Sequence, residues 1–274
     1  MAQFEADLRV MVHSAQGLLI GKLQGDIIVT NGVIEPTPGN LRSQRGIGRA
    51  FEDAMRRAGY PQLVRDFAAT FDGNFVYFNE IMGQLAAEGV IPSDAVASIG
   101  KIEQKLLSSQ LITSQDALNA VVSQTAETFA QQALYNVGAL RFSDLVARIS
   151  PVVEGMIPRA VTIATTAQTM FFRKLSRLGF DSIENDLGEV GHYIHSGPID
   201  VLTRPMCVHW IKGQAYSGPR GEFVLPSSDA TYTMEEISSF SNGQLPDCTV
   251  TMGGFNCRGQ LILKRMEKRL AVAA

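Results

Sequence analysis

The strongest constraint on this chain is a change of rhythm near residue 188. Before it, apolar residues recur at helical spacing. After it, Gly197-Pro198, Pro205, Gly213, Gly218-Pro219, Pro226, Gly243, Pro246 and Gly253-Gly254 punctuate the sequence every few residues. A helix interior tolerates neither residue well, because proline has no N–H to donate and glycine loses the most backbone entropy on ordering. Regular elements beyond residue 188 must therefore be short. The expected fold class is α+β, with a mostly α-helical N-terminal body and a small Gly/Pro-rich α+β C-terminal domain. Three regions follow: residues 1–40 as an N-terminal helix with an extended arm or linker, 41–187 as the helical body, and 188–274 as the small domain.

Within the first region Phe4, Leu8, Met11 and Val12 share a helix face, and the run 27–30, bracketed by Gly25-Asp26 and Asn31-Gly32, reads as a short strand or arm. Pro36-Thr37-Pro38-Gly39 reads as a linker, with a helix starting soon after Asn40. Ile47, Ala50, Phe51, Ala54 and Ala58 fall on one face, Gly59 ends that helix, and Pro61 opens another that reaches residues 85–88. Pro92-Ser93-Asp94 and Thr113-Ser114-Gln115-Asp116 are candidate N-caps for helices over 95–107 and 117–135. The latter sets Ala117, Val121, Phe129, Ala133 and Leu134 against a wide Ser/Gln/Thr face suited to a partner or to water. A helix over 142–149 and a long one over 152–178, closed by Gly179, complete the body.

In the tail, 192–195 reads as a strand. Residues 233–238 read as a small helix that Thr233 and Glu236 close with a capping box. The stretch 261–270, with Lys264, Arg265, Lys268 and Arg269, suits a helix C-terminus or a small anionic contact.

Charge and composition exclude whole classes. With 24 Lys+Arg against 27 Asp+Glu the net charge is -3, so no global positive field draws in a genome or an anionic membrane, and any DNA contact is local. Apolar runs such as Val10-Met11-Val12 are far shorter than a bilayer span, and the N-terminus lacks the pattern of a signal peptide; neither export nor membrane insertion is expected. The 3 cysteines all follow Met206, which fits a reducing compartment better than a disulfide framework. Walker, Rossmann, H-E-x-x-H and EF-hand signatures do not occur.

Three readings of the tail compete. Cys207, His209, Cys248 and Cys257 supply the soft ligands zinc favours, and Cys-x-His on an extended strand would put both side chains on one face, although no C-x-x-C spacing is present. Cys207 or Cys257 with His209 and Asp200 provides the residue types of a thiol hydrolase without a nucleophile elbow. In the third reading Asp200 and Arg204 tie a Pro/Gly-rich turn together, and Arg258 does the same through backbone carbonyls.

The string Tyr193-Ile194-His195-Ser196-Gly197-Pro198-Ile199-Asp200, followed by Thr203-Arg204-Pro205-Met206-Cys207, His209 and Gly213, carries a further signal. With Glu235-Glu236-Ile237, Asn242-Gly243-Gln244 and Gly253-Gly254-Phe255-Asn256-Cys257-Arg258, it resembles the C-terminal domain of the Mu F-like phage minor head, or head morphogenesis, family. The resemblance spans about residues 160–263 and includes the Thr-rich helix Ala164-Thr165-Thr166-Ala167-Gln168-Thr169. It implies a non-enzymatic structural protein of a tailed-phage virion, made in the host cytoplasm and placed at or near the portal vertex, with a tail or connector position as the alternative. Such a protein would aid head assembly and DNA packaging or ejection through contacts with portal, capsid or tail/connector subunits, in several copies and without a cofactor. The motif residues would be Asp200, Thr203, Arg204, Cys207, His209, Gly253, Gly254, Asn256, Cys257 and Arg258. Many members place Cys or His directly after the final Cys-Arg. Here Gly259 stands there, which counts against an inherited metal site.

Overall fold

A computed structural model describes residues 1–93, 100–134, 140–201, 203, 205–218, 221–223, 231–243, 247–252 and 259–268. The chain divides into two compact units, Met1–Ala69 with Leu111–Thr165, and Thr70–Gln110 with Thr166–Ala274. The architecture is of the α+β class: a mostly helical body with a small α+β C-terminal region.

In the first unit α1 (Ala2–Asp26) buries Phe4, Leu8, Val12, Ala15, Leu19 and Leu23, a stripe with steps of four and three residues. That stripe faces α2 (Pro38–Arg45), α3 (Ile47–Arg57) and α4 (Tyr60–Ala69). The segment read as an arm is a hairpin. β1 (Val29–Thr30) pairs with β2 (Val33–Ile34), and Asn31 and Gly32 both take positive φ, as a two-residue turn between right-twisted strands requires. Buried Asn40 clamps its base, donating to the Ile28 and Glu35 carbonyls and accepting from the Ile28 N–H, each at 2.8 Å. The helix expected after Asn40 begins at Pro38, because Thr37 caps it and a proline suits the first helical position.

α5 (Phe71–Ala87) starts a new helix where the sequence suggested continuity from residue 61. Two further breaks expected from local signals are absent. α6 (Gly100–Leu134) runs straight through Thr113–Asp116, with Ser114 buried in its face instead of capping. α7 (Phe142–Leu187) contains Pro151 and Pro158 and passes Gly179. Its buried side chains Ile149, Val153, Met156, Ile157, Ala160 and Ala164 supply packing that outweighs the donors lost at the prolines. Gly188, at φ +64, is the residue that ends it. Gly179 has a different purpose: a Cβ there would lie 2.4 Å from Phe78 Cζ, so glycine lets α5 and this part of α7 approach. Among the described residues no helix is long and apolar enough to cross a membrane.

The second unit packs Phe71, Phe75 and Phe78 of α5 against Phe171 and Phe180 of α7, with Phe71 and Phe171 centroids 4.7 Å apart. Onto this core fold β3 (Glu189–Ser196), α8 (Pro205–Ile211), β4 (Tyr216–Gly218), β5 (Gly221–Phe223), α9 (Met234–Ser238), α10 (Cys248–Thr251) and β6 (Gln260–Lys268). The basic stretch suggested as a helix C-terminus is strand β6, paired antiparallel with β3. The small helix at 234–238 forms as expected: Thr233 Oγ1 accepts from the Glu236 N–H, and the Glu236 carboxylate accepts from the Thr233 N–H.

Candidate functional site

β3 organises the region that carries the family-like motif. It pairs with β6 from Glu189 opposite Lys268 to Ser196 opposite Gln260, with one register shift between His192 and Tyr193 that leaves Lys264 as the extra residue. On its other side Tyr193 exchanges two 2.8 Å backbone hydrogen bonds with Tyr232. Gly191, Tyr193 and His195 alternate inward, as period two demands.

Each inward residue makes a distinct contact. The Tyr193 hydroxyl donates to the buried Glu184 carboxylate at 2.7 Å. A Cβ on Gly191 would lie 2.4 Å from that hydroxyl, so glycine leaves room for the pair. Burial, reinforced by the Glu184 charge, holds the Tyr193 phenol well above its ordinary pKa. His195 is 3% exposed and stacks on Trp210 of α8 at 4.5 Å and 17°. Neither of its ring nitrogens has a hydrogen-bond partner among the described residues. Trp210 in turn meets Tyr232 and Phe240 edge to face, at 6.2 and 5.5 Å. Burial pushes the Tyr232 phenol up to about 12.

Gly259 lies against His195: a Cβ there would be 2.2 Å from Nε2. The Gly259 carbonyl accepts from Arg173 Nη2 at 2.7 Å and Nε at 3.2 Å, while Nη1 donates to the Val250 carbonyl at 3.3 Å. Arg173 is only 4% exposed, so this buried guanidinium is a backbone clamp between α7, α10 and the start of β6. Nearby, buried Asn242 donates to the Met252 carbonyl at 2.8 Å, and Asp247 caps α10 by accepting from the Thr249 N–H at 3.0 Å.

The expected site residues fall in separate places. Thr203 ties the turn after β3: its hydroxyl donates to the Pro198 carbonyl at 2.8 Å and lies 3.1 Å from the Asp200 carboxylate, while the Thr203 N–H donates to the Asp200 carbonyl at 3.0 Å. Arg204, which the sequence suggested as the partner of Asp200, lies outside the described residues. Gly253, Gly254, Asn256, Cys257 and Arg258 also lie outside them. The shared strand face expected for Cys207 and His209 is not formed, because both sit on helix α8. Positions i and i+2 on a helix are about 200° apart, so Cys207 turns into the core while His209 packs on Tyr216 at 5.4 Å. Cys207 and Cys248 are both buried. Among the described residues no group of three or more His, Cys, Asp or Glu is placed to hold a metal ion.

Sequence reasoning missed Arg173, Glu184 and the His195–Gly259 juxtaposition. The usable signal was Gly259 itself, since a missing side chain beside a motif of larger residues invites the question of what fills the space. No protein-family model, curated protein or solved structure matches the chain.

Proposed function

We propose that this chain is a structural protein of a tailed-bacteriophage virion, of the minor-head kind, at or near the portal vertex, working through contacts with portal, capsid or tail/connector subunits. One observation carries the reading beyond the motif resemblance. The turn locked by Asp200 and Thr203 presents Ile199, 51% exposed, and Val201, 100% exposed, to solvent. Aliphatic side chains on a turn already fixed by hydrogen bonds lose little entropy when a partner covers them, and each contributes roughly 1.5–3 kcal/mol on full burial. The motif residues that are described serve this architecture. Thr203 and Asp200 hold the turn, and Cys207 is buried in the core.

Mass spectrometry of particles purified from the phage that encodes the chain tests the reading. The chain should be present in several copies, and Ile199→Asp with Val201→Asp should remove it from particles while its isolated fold persists. Particles that lack the chain altogether would overturn the proposal.

A further inference from the structure

Beside the Arg173 clamp the second unit opens into a cavity of about 250 Å³, walled by α5, α7 and the start of β6. We propose that it is a binding site for a neutral saccharide ring, a reading independent of any place in a virion. The wall is built from primary amides and aromatic rings. Asn74, Gln168 and Gln260 line it, and each carboxamide offers a donor and an acceptor side by side, the pattern that vicinal hydroxyls match. These amides are not consumed by the fold. Asn74 Nδ2 is a buried donor with no acceptor among the described residues, Gln168 uses one N–H on Thr70 Oγ1 at 2.6 Å, and the Gln260 side chain makes no hydrogen bond among the described residues.

The rings decide between ligand classes. Tyr77 and Phe172 pack against each other at 5.5 Å and 34°, with Tyr77 49% exposed, and so form a single apolar wall. A nucleobase held between aromatic planes needs a slot of about 7 Å, twice the contact distance of roughly 3.5 Å, and rings already in mutual contact leave none. A pyranose needs one ring face for its C–H side and polar groups around its rim, which is the arrangement present. Arg173, the charged side chain among the described wall residues, has Nε, Nη1 and Nη2 directed to the Gly259 and Val250 carbonyls, so the wall is assembled for an uncharged ligand.

Saturation-transfer NMR on the full chain, with methyl α-D-glucoside, methyl α-D-galactoside and N-acetylglucosamine at about 10 mM, reads the binding directly. Transfer to at least one sugar is expected, with affinity reduced about tenfold in Asn74→Ala and in Tyr77→Ala, whose truncation at a half-exposed position leaves the fold intact. Trp210 emission checks that intactness. Absence of transfer for all three sugars, transfer undiminished in both folded variants, or adenosine displacing the sugar at tenfold lower concentration would overturn the proposal.

Discussion

Gly259→Ala tests whether the site is held together by steric fit beneath His195. The ideal Cβ lies 2.2 Å from His195 Nε2 and 2.3 Å from Cε1, more than an ångström inside ordinary contact. The ring cannot swing away, because it is 3% exposed and stacked on Trp210 at 4.5 Å. Moving the backbone instead pulls the Gly259 carbonyl off Arg173, which donates to it at 2.7 and 3.2 Å. Overpacking of this kind costs about 1–3 kcal/mol, and weakening a charged hydrogen-bond pair adds about 1–2. Against this, alanine gains roughly 0.5–1 kcal/mol by restricting the unfolded chain. The expected net loss is about 1–4 kcal/mol. In a His195→Ala background the space is vacant, and the same substitution should cost less than about 0.5 kcal/mol. Urea denaturation followed by tryptophan emission suits the cycle, since the chain has 1 Trp and it is the residue stacked on His195. An equal cost in both backgrounds would refute the steric argument.

Two further expectations follow from the same physics. In α3 a Cβ on Gly48 would lie 2.6 Å from the Ala126 carbonyl oxygen, a backbone atom that cannot give way, so Gly48→Ala should destabilise by about 2 kcal/mol in thermal or urea melts. Gly17→Ala, on an exposed face of α1 with nothing within 4 Å, should instead stabilise by up to about 1 kcal/mol. High pH should unfold the protein through its tyrosines. Burial raises the phenols of Tyr60 and Tyr193, and that of Tyr232 to about 12, whereas an unfolded tyrosine ionises near its ordinary value of 10.0. The neutral phenols' contribution is therefore complete below pH 10.0 and is lost as the pH rises toward about 12. Ultraviolet titration of tyrosinate should show these residues ionising together with unfolding, and early ionisation in a folded chain would contradict their burial.

Local chemistry made several elements legible. Thr233 and Glu236 announce a capping box that needs no distant partner, whereas Asn31-Gly32, read as the end of an arm, forms a hairpin turn because both residues accept positive φ. Elements decided at long range were not legible. Residues 261–268, Leu-Ile-Leu-Lys-Arg-Met-Glu-Lys, are mostly good helix formers, and only pairing with β3, more than sixty residues earlier, makes them a strand. In Pro205–Ile211 the proline at the first helical position was a true start signal. Reading Cys-x-His as strand put two side chains on one face that the helix places on opposite sides.

The site was harder to read than the fold for a related reason. Arg173 and Gly259 are 86 residues apart, and neither is unusual in its own segment. What joins them is a backbone carbonyl, and a sequence does not show which carbonyls a guanidinium will find. The absence of a side chain at Gly259 is informative only when set beside His195, whose imidazole fills the volume a larger residue would take. Cys or His at position 259 would collide with that ring. His195, Gly259 and Trp210 therefore constrain one another: a chain with a larger residue at 259 must place something smaller, or turned elsewhere, at 195. The single-site and double-site costs of Gly259→Ala measure that dependence.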